Sequence, residues 1–272
     1  MFVVLNHLEK KSFLFEDNYL VWKIIKAKDD NLLVVELRNP AELYTAFVCI
    51  DLNKQEILWD DLAFEDTWSI SISGMNSEYL FFTEFTDGQI PEAKAVFSIS
   101  LETKEMGWYL ENTIFEAVTD EYVLLKENID GEFQNICIDK NTGESIENSI
   151  DLSSIDLFDS HIEFPLQYEE GSDYFNTVNE FMHNKKGISI TKACDYLEWN
   201  SYIIIAYYQN TENKALNNYI IILNKMGKVL FEDQLGKGLK GIASESFFIA
   251  EEKLIYIKDK REISTINLTS TL

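Results

Sequence analysis

The stretch Cys49-Ile50-Asp51-Leu52-Asn53-Lys54-Gln55-Glu56-Ile57-Leu58-Trp59 decides the fold, because it returns along the chain. It reads as an apolar strand, a polar turn, and a second strand that ends in aromatic or aliphatic residues. Ile99-Ser100-Leu101-Glu102-Thr103-Lys104-Glu105-Met106-Gly107-Trp108 repeats it, and so does Cys137-Ile138-Asp139-Lys140-Asn141-Thr142-Gly143-Glu144-Ser145-Ile146. A later copy is Ile222-Leu223-Asn224-Lys225-Met226-Gly227-Lys228-Val229-Leu230-Phe231. Partial copies stand near the ends, at His7 to Phe15 and at Ile266 to Thr269.

With His7, Asp51, Ser100, Asp139, Leu223 and Asn267 as equivalents, the steps are 44, 49, 39, 84 and 44 residues. The step of 84 reads as two repeats, one of which has lost its signature. A second landmark precedes each hinge by one strand. It is Asn31 to Val35, Glu78 to Phe82, Glu121 to Leu125, Ser201 to Ile205 and Lys253 to Ile257.

A period of about 40–45 residues with about four strands per unit is the signature of propeller blades. Inner strands of a blade are covered on both faces, so they read as continuous apolar runs. Ile203-Ile204-Ile205 and Ile220-Ile221-Ile222-Leu223 do so. The expected fold is therefore all-β, a β-propeller of about six blades, within a range of five to seven. The whole chain, 1–272, is expected to form one domain, with a degenerate repeat at about 151–191. The N-terminal Ser12-Phe13-Leu14-Phe15 is expected to pair with the strand ending near Asn267, which would otherwise lack an outer neighbour.

The degenerate repeat carries one good helix, around 173–186. Tyr174, Phe175, Val178, Phe181 and Met182 fall on a single helical face. Ser172 stands at the N-cap, Asp173 in the first turn, Lys185 and Lys186 in the last, and Gly187 just past the end. The apolar face is expected to dock on the sheets, with Phe181 fully buried, and to cover the surface near Tyr168 to Glu170.

The composition bounds the function. Lys and Arg total 23 against 47 Asp and Glu, a net charge of −24. Such a surface repels a phosphate backbone and an anionic membrane, so neither nucleic acid nor membrane is an expected partner. A basic protein partner, a cation or a small molecule remains. The three cysteines, Cys49, Cys137 and Cys194, are sparse and unclustered, and are expected as free thiols rather than a disulfide or zinc set. The N-terminal residues lack a basic n-region and no apolar run reaches about 18 residues, so a cytoplasmic location is expected.

Three constellations carry candidate chemistry. Asp159, His161 and Glu163 share one face of a strand and are each plausible metal ligands. In an acidic chain the same spacing also arises as an ordinary solvated edge. Tyr168, Glu169, Glu170, Tyr174, Asp195 and Trp199 gather aromatics and carboxylates around the odd repeat, a mixture suited to a cationic or carbohydrate ligand. Gly236-Lys237-Gly238-Leu239-Lys240-Gly241 matches a dinucleotide-binding glycine pattern by letter. That motif needs a helix to follow, and Ile242 to Ile249 reads as a strand, so the segment is read as an inter-blade loop. Asp139 to Glu144 is likewise a turn rather than a calcium loop. No cofactor is expected.

The runs Pro165 to Phe175, Lys192 to Trp199 and Tyr202 to Tyr208 resemble an uncharacterised bacterial family, largely from Bacteroidetes, known as domain of unknown function 4905. That resemblance implies no activity, substrate, cofactor or catalytic residue. The expected function is a non-enzymatic interaction or ligand-binding scaffold. The alternative is a carboxylate-based hydrolase, or a small-ligand or carbohydrate binder, acting at a central channel face.

Overall fold

The structure is a computed structural model that describes residues 8–27, 31–62, 64–65, 68–86, 91–146, 162–243 and 246–269. These residues fall into two compact units, Asp17–Ser160 and Met1–Glu16 with His161–Leu272. The chain is all-β and of the propeller kind: antiparallel sheets succeed one another, each built around three to five strands that run up and down in sequence order. No helix among the described residues is long and apolar enough to cross a membrane.

A short strand β1 (Lys10–Leu14) comes first. The unit that follows holds three sheets. Strands β2 (Leu20–Lys26), β3 (Leu32–Asn39), β4 (Tyr44–Asp51) and β5 (Glu56–Leu62) make one sheet, and β6 (Ile70–Met75), β7 (Tyr79–Phe85), β8 (Ala93–Ser100) and β9 (Met106–Glu111) the next. Strands β10 (Thr113–Val118), β11 (Tyr122–Ile129) and β12 (Glu132–Asp139) form the third, extended by a bridge from Ile138 to Ser145.

The other unit begins with β13 (Ile162–Glu163), β14 (Leu166–Glu169) and helix α1 (Asp173–Lys186). Strands β15 (Thr191–Trp199), β16 (Tyr202–Asn210), β17 (Leu216–Asn224) and β18 (Val229–Leu239) join β14 in a five-stranded sheet. Strands β19 (Phe247–Ala250), β20 (Lys253–Lys258) and β21 (Glu262–Asn267) form the last, with β13 on one edge and β1 on the other. The described residues thus hold five sheets, the lower end of the expected range. Among the described residues, the long step between Asp139 and Leu223 holds β13, helix α1 and the strands β14 to β17 of a single sheet, whose last strand β18 follows Leu223.

The two sequence landmarks are adjacent strands in register. Leu32 pairs with Asp51, Tyr79 with Ser100, Tyr122 with Asp139, Tyr202 with Asn224 and Lys253 with Asn267. Asn224, not Leu223, is therefore the fifth equivalent. The hinge polar residue recurs because it closes its own turn. Asp51 Oδ1 accepts from the N–H groups of Asn53 and Lys54, Asp139 Oδ1 from Asn141 and Thr142, and Asn224 Oδ1 from Met226 and Lys228. Ser100 does the same through its hydroxyl with Thr103 N–H.

The inner strands β3, β4, β7, β8, β16 and β17 are buried on both faces over most of their length, which explains their unbroken apolar runs, whereas β12 is exposed over its first half. Adjacent residues Phe81 and Phe82 face opposite sheets. Phe82 meets Phe47 edge-on at 4.9 Å, while Phe81 meets Phe115 at 6.1 Å. First strands bulge at matching places, between Val21 and Lys23, Ile72 and Gly74, Phe115 and Ala117, and Thr191 and Cys194. The expected pairing of the N-terminal strand holds, with Ser12 opposite Ser264 and Phe13 opposite Ile263.

Two expectations are corrected. Strand β18 runs through Leu239, so the glycine-patterned segment starts inside a strand rather than in a loop. The strand expected over Ile242 to Ile249 begins only at Phe247, after the apolar residues that pack against Leu254 and Tyr256 come into register. Residues 2–7, including His7, lie outside the described residues.

Candidate functional site

The helix follows its sequence signals. Ser172 Oγ accepts from Phe175 N–H at 3.3 Å, and Gly187 closes the C-terminus at φ 67° with its N–H on His183 O. Phe175, Val178 and Met182 are buried against Cys194, Ile205, Tyr207, Ile221 and Leu223 of the sheet. Phe181 is only half-buried, a correction to the expectation. It lies at the rim, near the turn at Gly227, where the sheet ends and leaves one side of the ring wet. Lys186 pairs with Glu232 at 2.8 Å and holds the same end of the helix.

Tyr174 leaves the core altogether. It is 68% exposed and stacks on Tyr168, with centroids 5.0 Å apart and 17° between planes. Tyr168 also meets Tyr196 at 6.1 Å. Strand alternation puts Leu166, Tyr168, Cys194 and Tyr196 on one face, since Leu166 pairs with Tyr196 and Tyr168 with Cys194. Leu166 is 64% exposed. Tyr196 donates to Glu198 Oε1 at 2.7 Å; burial, then this carboxylate, raises the phenol's pKa. Glu170 and Glu198 are exposed beside this row, Glu170 accepting from Lys192 N–H at 3.2 Å; Glu169, also exposed, points to the opposite face of β14 with Gln167. The result is a row of tyrosines and a leucine with a carboxylate rim.

The remaining residues of the expected site are not part of that row. Asp195 points to the opposite face, where it is 1% exposed. Its Oδ1 accepts from Gln167 Nε2 at 2.9 Å and its Oδ2 from Ser246 N–H at 3.0 Å. Gln167 Nε2 reaches Ala243 O as well, at 2.8 Å, so Asp195 and Gln167 together tie β14 and β15 to the chain leading into β19. Trp199 packs with Leu254, Tyr256 and Leu268 in the core on that same side. The structure therefore brings Tyr168 and Tyr174 together, sets Glu170 beside them, and turns Glu169, Asp195 and Trp199 to the other face. Tyr196 and Leu166 were missed by sequence reading; their place opposite each other in a strand pair is the signal that could have found them.

Of the candidate metal set, Asp159 and His161 lie outside the described residues. Glu163 sits exposed in β13, opposite Ile249. The described residues hold no group of three or more His, Cys, Asp or Glu arranged for a metal ion. The three cysteines form no disulfide; Cys49 and Cys194 are buried and Cys137 is half-buried.

No curated protein matches the chain by sequence. Solved structures similar to it include a member of the DUF4221 family from Bacteroides vulgatus, at 10% identity over 96% of both chains with a TM-score of 0.39. An oligogalacturonate lyase in complex with manganese is similar at 9% identity over 97% of both chains, TM-score 0.34. A β-propeller domain from Myceliophteria thermophila is similar at 8% identity, over 93% of this chain and 72% of that one, TM-score 0.24. By sequence, residues 27–108 match the family model described as "Domain of unknown function (DUF4905)", the family that the second half of the chain resembles.

Proposed function

We propose that the protein is a non-enzymatic interaction scaffold, and that the row of Leu166, Tyr168, Tyr174 and Tyr196 docks an extended basic segment of a partner protein. The observation that carries this reading is Tyr174, two-thirds exposed and stacked on Tyr168, with Glu170 and Glu198 exposed beside the row. Aromatic faces and carboxylates both attract Lys and Arg side chains. The net charge of −24 favours a basic partner at longer range. Unbridged cysteines at Cys49, Cys137 and Cys194 support a reducing compartment such as the cytoplasm.

The hydrolase alternative would draw support from a carboxyl group held protonated near neutral pH. Among the described residues, the carboxylates with shifted pKa values are Asp51, Asp61, Glu84, Asp139, Asp233 and Glu262, and all are shifted down. These groups are anions held by hydrogen bonds from backbone N–H groups or from lysine, serine and tyrosine side chains.

The test is calorimetric titration with a Lys-rich peptide carrying two Leu residues and with its Glu-substituted counterpart. The Lys-rich peptide should bind, and Tyr174→Ala should weaken it by about tenfold, as loss of an interface aromatic does. Equal binding of both peptides, or no effect of Tyr174→Ala, would overturn the reading.

A further inference from the structure

A separate site lies in the unit Asp17–Ser160 and is independent of the docking row. Strand β2 bulges so that Val21 pairs with Leu37 and Lys23 with Glu36, leaving Trp22 without an opposite. A bulge re-aims the extra side chain. Trp22 is 62% exposed, yet its ring centroid lies 5.1 Å from the Arg38 guanidinium carbon, and Trp68 lies at 5.0 Å. Arg38 itself is 13% exposed.

The surroundings of Arg38 are partly structural. Glu36, fully buried, accepts from Arg38 Nε at 2.7 Å through one oxygen. Its other oxygen accepts from Ser71 Oγ at 2.7 Å and Ile72 N–H at 3.0 Å. Arg38 Nη2 reaches Ile70 O at 3.4 Å, and Lys23 Nζ donates to Ile72 O at 2.6 Å. Ile70 and Ile72 lie on β6, the edge of its sheet, whose outward backbone groups would otherwise lack partners. Side chains of the neighbouring sheet thus cap an open edge.

Capping does not use up the guanidinium. An arginine carries five N–H donors, and Glu36 and Ile70 O take one each. The Nη1 donors meet no acceptor among the described residues. Lys23 and Arg38 contact carbonyls two residues apart on one strand, about 7 Å. Together with Glu36 they leave a local excess of one positive charge in a strongly acidic chain.

We infer that Arg38, bracketed by Trp22 and Trp68, receives a carboxylate. The flat anion approaches the free edge of the guanidinium, where two parallel N–H bonds can form. The indole rings exclude water from that pair, and the apolar remainder of the ligand lies on the exposed face of Trp22. Lys23 adds long-range attraction without itself being consumed. The carboxylate can come from a small molecule or from the end of a peptide chain.

Arg38 and Arg261 are the arginines of this sequence, so their side-chain Nε–H NMR signals are readily told apart. Titration of the full chain with sodium benzoate should shift the Arg38 signal saturably, with a Kd of about 1 mM. Benzyl alcohol and inorganic phosphate should not. Trp22→Ala, at an exposed bulge that folding tolerates, should weaken benzoate about tenfold. Arg38→Lys, followed by tryptophan fluorescence, should abolish saturation. A peptide with a free C-terminal carboxylate, compared with its amide, separates the two sources: a response to benzoate alone assigns a small molecule, and a stronger response to the free peptide assigns a chain end. The inference is overturned by the absence of a saturable Arg38 shift up to about 50 mM benzoate, by an equal response to benzyl alcohol or phosphate, or by unchanged affinity in Trp22→Ala.

Discussion

Lys10 and Asp233, 223 residues apart in sequence, meet at 2.7 Å and fasten the N-terminal strand to its unit. The contact sits in a wider cluster. Asp233 also accepts from Lys258 at 2.6 Å and Tyr256 at 2.9 Å, and Lys10 pairs with Glu262 at 2.9 Å. Ser12 and Ser264 both donate to Glu262 Oε1. Strand β1 buries only Phe13, so this polar clasp carries much of its attachment.

Burial alone would raise the pKa of Asp233, but hydrogen bonds from Lys10, Lys258 and Tyr256 outweigh it and bring it down to about 2. A depressed carboxyl contributes stability above its unfolded pKa of about 3.9 and loses it as pH falls towards the folded value. Asp233→Asn should therefore cost about 1–2 kcal/mol at neutral pH, allowing for solvent screening of a partly exposed group. The difference from wild type should shrink between about pH 4 and pH 2. Urea melts at several pH values measure it; a pH-independent difference would show that the ion cluster is not its source.

The helix is held by Phe175, Val178 and Met182. Phe175→Ala should cost about 3–5 kcal/mol, as deletion of a buried ring does. Phe181→Ala should cost distinctly less, because part of that ring is already in water. Thermal melts that rank the two variants in the opposite order would contradict the packing.

Gly143 stands at φ 73° in the turn after β12, and an added Cβ would lie 2.8 Å from Trp108 Cγ. Trp108 cannot easily yield, since its indole N–H donates to Lys140 O at 2.8 Å. Gly143→Ala should destabilise by about 1–3 kcal/mol, through both the left-handed backbone and overpacking. Guanidinium denaturation of this single variant checks it, and no change in midpoint would mean that the turn relaxes freely.

Burial, then the charge of Asp195, pushes the Cys194 thiol up to about 12, and Cys49 is buried as well. A thiol reagent at neutral pH should modify half-buried Cys137 first and the other two only on unfolding. All three should react in denaturant without reductant. Rapid labelling of Cys194 in the folded protein would contradict its burial.

The repeat, the all-β class, the helix with its caps, and the unbridged cysteines were legible in the sequence. They rest on local chemistry: an Asx turn needs Asp51 or Asp139 two residues before its partner N–H, and a doubly covered strand needs an unbroken apolar run. The docking row was half legible. Tyr168 and Tyr174 stood out as aromatics, but Asp195 and Trp199 were grouped with them wrongly, since neighbours in sequence alternate between faces of a strand. Phe181 shared a helical face with Phe175, yet a helical face says nothing about where the sheet beneath it ends. Arg38 drew no attention at all: nothing local to it shows that a bulge returns Trp22 to its side, that Trp68 approaches from beyond the next strand, or that Glu36 already holds one of its nitrogens. Trp22 and Glu36 share a sheet with Arg38, but Trp68 and the carbonyls of Ile70 and Ile72 come with the next one, and only the packing of one sheet on another sets which side chains meet and which donors are left over.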